Sequence, residues 1–301
     1  MWKLFSGKMA SIAMVGVLSV GVLAGCGQSG DNKTTGSAPA GGGTPAKVEL
    51  TGTVSASGST ALQPLVSKAA QDFMAKNPKV TVNVTGGGSG TGVKNVVDGV
   101  SDIGNSDVEA DAQYKDKLAD NIVVIAPFAL IVNKASVGVT NLTKVQAADI
   151  FAGTITNWKD VGGKDLKITV VHRPESSGSR KLVQQIVLGT KTFTKDGVTQ
   201  DTSKTVAEAV ASTEGSIGYV DVPYIKGNDK IVALKLDGVE YSSDNIKSGK
   251  YPLYGIEHMY TKKDNNNEAV KAFLTFIMSK DFLSQPAVVD LGFLPADLLK
   301  K

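Results

Sequence analysis

Apolar positions recur along this chain at two spacings, and their alternation predicts a series of strand–loop–helix units. Residues 48–54 alternate weakly as a strand. After the small-residue run Ser55-Ala56-Ser57-Gly58-Ser59-Thr60, the apolar residues Leu62, Leu65, Val66, Ala69, Ala70 and Phe73 fall at helical spacing, with Pro64 in the first turn where its missing N–H costs nothing. Residues 79–85 read as the next strand, run into GGGSGTG at 86–92, and are followed by a helix through 93–97. A short strand at 101–107 ends on Asp107. Residues 122–132 form a long apolar run broken by Pro127, which suits a bent crossing better than a central strand. A helix is expected over 143–152, then a turn at Thr156-Asn157-Trp158 with a packed indole.

A third unit follows. Ile168, Val170 and Val171 have strand spacing, the chain turns through Arg173, Pro174 and Glu175 into Ser176-Ser177-Gly178-Ser179, and Leu182, Val183, Ile186 and Val187 return to helical spacing. The remainder reads as a helix at 205–211, a turn into a strand at 214–219, short strands at 231–236 and 238–241, a helix end at 245–248, an extended crossing at 252–260, and amphipathic helices at 269–278 and 282–291. This is an α/β pattern whose two crossings, near residues 128 and 255, carry the chain out of a first lobe, through a second and back. Ligands in such sheets sit beyond the carboxyl ends of the strands, where the three small-residue loops can converge.

Those loops have the chemistry of an anion site. A helix start carries unpaired N–H groups and partial positive charge, Ser and Gly leave room for close approach, and Arg173 adds a planar fork of donors suited to a tetrahedral oxyanion. The segment GGGSGTGVK is not a nucleotide motif: a P-loop needs Lys then Ser or Thr after its last Gly, whereas Val93-Lys94-Asn95 follows here.

Composition narrows the picture. With 42% hydrophobic and 20% charged residues in 301, the folded part is ordinary in character. The formal charge of +3 includes Lys3 and Lys8 from the first twenty-five residues, which hold no acid; removing them takes +3 to +1, so no nucleic acid or other extended polyanion is expected as partner. The start itself reads as an export signal: lysines, an apolar stretch at 12–22 shorter than a membrane span usually requires, then Leu23-Ala24-Gly25-Cys26. Cys26 is the only cysteine, which leaves none for a disulfide, a cysteine metal site or thiol catalysis once it is acylated. Gly27 to Ala46 is almost wholly Gly, Ser, Thr, Pro and Ala with scattered polar residues, the composition of a tether.

The four residues ending at Cys26 resemble the lipobox of bacterial lipoproteins. GSTAL at 58–62, GGGSGTGVK at 86–94, DIGNSD at 102–107, HRPESSGS at 172–179 and ADIFAGTITNW at 148–158 together resemble the phosphate-binding lipoproteins of bacterial ABC phosphate importers, over essentially the whole chain from residue 48. Glu175 stands where that family more often has Asp, and Ser179 where it usually has Thr. The resemblance implies a two-lobed periplasmic-binding-protein fold of type II, with two crossover strands and an interlobe ligand cleft that closes over phosphate. It divides the chain into a signal peptide (1–25), a lipid-anchored tether (26–47), lobe I (48–127 and 256–301) and lobe II (128–255). It also implies a monomer at the extracytoplasmic face of the membrane, held by lipid on Cys26, partnered by inorganic phosphate and by permease subunits, with no cofactor and no metal.

The ligand set the resemblance implies is Ser59, Thr60, Ala61, Ser89, Asp107, Arg173, Glu175, Ser177, Gly178 and Ser179. Hydroxyls of Thr60, Ser89, Ser177 and Ser179 and backbone N–H groups of Ala61 and Gly178 would donate, while Glu175 is expected to orient Arg173 by pairing with it. Asp107 would take the proton that phosphate keeps near neutral pH; sulfate has none to give, and would set two anions face to face. A binder of sulfate or molybdate is the near alternative. An enzyme acting on phosphate esters would need a metal cluster or a nucleophile–base pair, and the two histidines, His172 and His258, show no ligand spacing. A purely adhesive lipoprotein would make four donor-rich loops a coincidence.

Overall fold

The computed structural model describes residues 49–135 and 137–299; the export signal, Cys26 and the tether lie outside them. The chain runs β1 (Gly52–Gly58), α1 (Gln63–Lys76), β2 (Val80–Gly87), α2 (Ser89–Asp98), β3 (Ile103–Ser106), α3 (Ala112–Lys115), β4 (Leu118–Asn133), β5 (Asn141–Leu142), α4 (Lys144–Ala152), β6 (Thr169–His172), α5 (Gly178–Val183), β7 (Val198–Thr199), α6 (Ser203–Ser212), β8 (Ser216–Asp221), β9 (Ile231–Ala233), β10 (Lys235–Leu236), α7 (Ser243–Lys247), β11 (Tyr254–Lys262), α8 (Glu268–Ile277), α9 (Lys280–Leu283), α10 (Pro286–Val289) and β12 (Leu294–Pro295).

The strands hydrogen-bond in the order β2-β1-β3-β11-β4-β8-β6-β7, with β9 and β12 also on β4. The sixteen-residue β4 joins the two halves of this sheet. Its first part pairs antiparallel with β11 as far as Pro127 opposite Tyr254, and its second part pairs antiparallel with β8 from Phe128 opposite Asp221. Pro127 has no N–H to give a ladder, and it stands where one partner strand ends and the next begins. Thus the apolar run with a proline in it crosses between the two halves, as its sequence predicts, but it is also a central strand, which the proline had argued against; it can be one because Pro127 stands at the change of partner.

The two largest apolar clusters among the described residues lie on either side of that crossing. One gathers Val54, Leu62, Leu65, Phe73, Ile103, Val124, Met259, Phe273 and Phe282, from α1, α8, α9 and the strands beneath them. The other gathers Phe128, Leu130, Phe151, Trp158, Val183, Tyr219, Tyr251 and Leu253. Trp158 is fully buried and its indole N–H donates to the Gly215 carbonyl at 2.8 Å, so its polar edge is satisfied inside the core. Leu294, Leu298 and Leu299, near the end of the chain, pack back on the second core.

Some elements differ from the sequence reading. The helix expected over 282–291 is two short helices, because Ser284 ends the first and Pro286 starts the second from its first turn. Residues 238–241 form no strand; Gly238 sits at φ +79° in a turn closed by a bridge between Leu236 and Val239. The helix after Gly178 winds as α only to Val183 and continues as a π-turn through Gln184–Leu188.

Candidate functional site

Every loop singled out above lies at the carboxyl end of a strand. β1, β2 and β3 are parallel neighbours in one half of the sheet, β6 and β8 in the other, and their ends face one another across β4 and β11. After β1 the chain turns at Gly58 with φ +130°, where a Cβ would stand 2.9 Å from Gly92 Cα and 3.1 Å from the Asn105 nitrogen; only glycine lets α2 and β3 come this close to the turn. Ser59 Oγ then accepts from the backbone N–H groups of Ala61 and Leu62, each at 3.1 Å, and so fixes the entry to α1. On the opposite side Ser177 caps α5, accepting from the Arg180 N–H.

The loops of the two halves are closed on each other. Gly90 N donates to the Ser176 carbonyl at 2.9 Å, and the Tyr224 hydroxyl donates to the Thr60 carbonyl at 2.6 Å. Arg173 Nη2 donates to Thr60 Oγ1 and to the Asp201 carbonyl, both at 3.1 Å, and Nη1 donates to Ser203 Oγ at 3.2 Å. Thr60 Oγ1 also accepts from the Ser203 N–H, so its hydroxyl is committed to holding Arg173 and the start of α6 in place. On the acid side, Ser179 donates to Asp107 Oδ2 at 3.0 Å, and Ser89 Oγ accepts from the Asp107 N–H at 3.0 Å. A Cβ on Gly178 would collide with Ser89 Oγ and lie 2.8 Å from Asp107 Oδ2, so a side chain there would wedge these loops apart.

Ser59, Thr60, Ala61, Ser89, Asp107, Arg173, Ser177, Gly178 and Ser179 are thus all buried and brought to one place. Glu175 is the exception. It is exposed, and among the described residues it makes no ion pair with Arg173, whose guanidinium passes inward to Thr60, Ser203 and Asp201 instead. The expected pairing is therefore corrected: Thr60 before α1, the Asp201 carbonyl before α6 and Ser203 at the start of α6 orient Arg173.

Two atoms in this cluster stand out. Arg173 Nε and Asp107 Oδ1 are buried without a hydrogen-bond partner, a donor on one side and an acceptor on the other. Buried polar groups are rarely left so, and those that are point to a function. Asp221 at the end of β8 and Glu257 in β11 are also buried, with unpartnered carboxylate oxygens. Burial, then the negative charge of Asp107, pushes the Asp221 carboxyl well above its ordinary value, with Arg173 opposing; burial, then Asp107 and Asp221, does the same to Glu257. Tyr224 is likewise raised, chiefly by burial.

Beside the cluster, an open cavity of about 670 Å³ is lined by Arg173, Glu175, Arg180, Lys181, Lys195 and Phe193 among others. Arg180 lies 3.9 Å over the Phe193 ring, and its Nη1 is 3.4 Å from His172 Nδ1, while His172 Nε2 bonds to the Asp196 carbonyl. Both His172 ring nitrogens are thus occupied structurally, and burial lowers its pKa. His258 is buried and bonds to Asp120.

Sequence reasoning missed Ser203, Asp201, Tyr224, Asp221 and Glu257. The first three come from segments that only the fold places opposite Thr60. Glu257 did carry a signal, an acid inside the apolar strand 254–260, and Asp221 another, a strand-end acid like Asp107.

A deep two-half α/β sheet with ligand-type loops at the switch between the halves defines a class of binding protein, and the comparisons agree: residues 34–281 match the PBP superfamily domain, and the chain belongs to that superfamily. Within it the chain is 39% identical over 282 residues, 93% of this chain and 91% of the other, to the phosphate-binding protein PstS of Bacillus subtilis (strain 168). A solved phosphate ABC transporter substrate-binding protein from Clostridium perfringens, with bound phosphate, is 34% identical and superposes with a TM-score of 0.76 over 81% of this chain and 99% of its own. An ABC-type phosphate transport receptor from Vibrio cholerae is 27% identical, with a TM-score of 0.65 over 80% and 99%.

Proposed function

We propose that this chain is an extracytoplasmic solute-binding protein that captures inorganic phosphate between its two lobes and hands it to an ABC importer. The observation that carries the reading is the pairing, in one closed loop cluster, of a buried guanidinium with a free Nε–H and a buried carboxylate with a free Oδ1. A tetrahedral anion that keeps one proton needs both. Hydroxyls of Ser59, Ser89 and Ser177, each already accepting a backbone N–H, still have a proton to give. Thr60, Ala61, Gly178 and Ser179 complete the ligand shell or hold it, and Glu175 lies at its exposed rim. The names of the relatives support the same ligand and the same transport role.

A sulfate or molybdate binder would gain nothing from Asp107, which makes it the weaker reading. Chemistry on phosphate esters is weaker still: both His172 nitrogens are engaged and His258 is paired with Asp120. The chain therefore binds and releases phosphate without turning it over. Purified protein should take up phosphate saturably at one site and hydrolyse no phosphate ester; hydrolysis abolished by Arg173→Ala would sink the reading.

The lobes are residues 48–127 with 256–301, and 128–255, a division supported by the two apolar cores on either side of β4, although Leu294, Leu298 and Leu299 reach back to the second core. Residues 1–25 are the signal peptide and 26–47 the tether, with the lipid on Cys26; the working form is a monomer that meets the permease subunits at the membrane. One acyl chain anchors only marginally, so firm attachment takes several. Cys26→Ser is expected to leave the protein unprocessed or release it from the membrane, read by fractionation. Normal processing with full membrane retention would contradict the anchor.

A further inference from the structure

Asp107, Asp221 and Glu257 arrive from three different strand regions and are each at least 97% buried; the charges of Asp107 and Asp221 both bear on Glu257, and Arg173 offsets the charge at Asp221. Three ionised carboxylates around one cation leave a surplus of negative charge in a place that is to receive another anion. Burial of that kind is sustained only if some of the acids keep their protons. No metal ion offsets the charge by geometry either: among the described residues no three acid or imidazole groups are arranged to hold one.

The sheet register shows which acid faces Asp107. β11 runs antiparallel to β3 with His258 opposite Ser106, the last residue of β3, which brings Glu257 beside Asp107; a Cβ on Gly255 would stand 3.1 Å from the Asp107 carbonyl oxygen and 3.4 Å from Glu257 Oε1. On its other edge β11 meets β4 through a register shift between Glu257 and His258, the kind of irregularity that re-aims side chains beside a site. Glu257 is 0% exposed, and neither of its oxygens has a donor; nor has Asp107 Oδ1. These acceptors can satisfy one another only through a proton, and since a carboxylate oxygen has two lone pairs, Asp107 Oδ1 can take that proton and still face the ligand. The other charged groups on the packed elements are accounted for. His258 is bonded to Asp120, Lys94 and Asp98 of α2 pair with each other, and of α5 Lys181 pairs with Asp111 while Arg180 lies over Phe193. From α5 it is Leu182, not a charge, that reaches toward Gly255 beside Glu257.

We propose that Glu257 is a positioning residue of the site, a neutral carboxylic acid that donates its proton to Asp107 from the β11 side and so holds Asp107 as the ionised acceptor turned to the ligand. The role of Asp107 toward phosphate rests on the reading above; the proton on Glu257 does not. A neutral donor behind Asp107 supports its role as an acceptor, whereas an ionised Glu257 would set two carboxylates face to face.

The raised carboxyl also fixes a sign for stability. Unfolded, Glu257 releases its proton near the usual value of about 4.3; folded, it keeps it to higher pH. That contribution is fully present below the unfolded value and is lost as pH rises toward the folded one. Gln is a neutral isostere of the protonated acid and escapes the loss.

The test compares the full chain with Glu257→Gln and Glu257→Leu. Ligand-free wild type at neutral pH is expected to show a protonated-carboxyl C=O infrared band, part of which is missing from Glu257→Gln. The melting temperature of Glu257→Gln is expected to gain on wild type as pH rises above about 5. Phosphate affinity should stay within about threefold in Glu257→Gln, which keeps a donor, and fall about tenfold or more in Glu257→Leu. Coincident infrared spectra, a melting difference that does not change with pH, or a Leu variant that folds and binds as well as the Gln variant would each overturn the proposal. If Glu257→Leu does not fold, the first two readouts still decide. A wild type that binds no phosphate would overturn the phosphate reading alone, since neither of those readouts uses ligand.

Discussion

Arg173→Ala is expected to cost phosphate binding more than any single hydroxyl deletion in the site, by at least about 100-fold. A hydrogen bond to a charged partner contributes about 1.5–3 kcal/mol, and Arg173 has two N–H groups left for a tetrahedral anion, Nε and one of Nη1. The structure adds a second reason. The same side chain ties β6 to Thr60 before α1 and to Ser203 and Asp201 before and within α6, so its loss also loosens the contact between the two halves. Calorimetric titration of Arg173→Ala, Ser89→Ala and Ser177→Ala should give losses in that order. Arg173→Ala binding like wild type would remove Arg173 from the ligand set. Arg173→Lys should recover only part of the affinity, because an ammonium cannot reproduce the fork that reaches Thr60 and Ser203 together.

The second large effect concerns discrimination. Asp107→Asn keeps an acceptor of the same shape and the same backbone bond to Ser89, but removes the charge. For phosphate two changes oppose each other, a charge-assisted bond made neutral and a repulsion relieved, and the net change is about 1–2 kcal/mol in either direction. For sulfate only the relief operates. Two unit charges 4 Å apart at an effective dielectric of 20 repel by about 4 kcal/mol, so even a partial release should improve sulfate binding by about tenfold or more. Selectivity should fall because sulfate gains rather than because phosphate is lost. Competitive displacement of labelled phosphate by sulfate checks it; sulfate remaining as poor a competitor against Asp107→Asn as against wild type would make Asp107 a structural acid.

Much of this site can be read from the chain because its loops are local objects. A strand, a run of Ser and Gly, and a helix in immediate succession present Thr60, Ser89 and Ser177 at the helix starts whatever the rest of the fold does. Pro127 likewise announces the crossing, since a residue without an N–H must stand where a ladder changes partner. What could not be read is what long-range pairing creates. The loop pattern of the family pairs Glu175 with Arg173, but the guanidinium turns toward Thr60, 113 positions earlier, and Ser203, 30 positions later. Glu257 is visible as an acid in an apolar strand, yet only the antiparallel register of β11 on β3 brings it beside Asp107. The division of 282–291 into two helices was available in Ser284 and Pro286 and lost to the apolar periodicity that runs through both.

Phosphate as the ligand is tested most directly by one titration. The purified chain, freed of phosphate, is titrated calorimetrically with phosphate, sulfate and molybdate at neutral pH. A single saturable site for phosphate, undisturbed by a large excess of sulfate or molybdate, is the predicted result. Sulfate or molybdate binding as tightly as phosphate, or no saturable heat with phosphate, would contradict it.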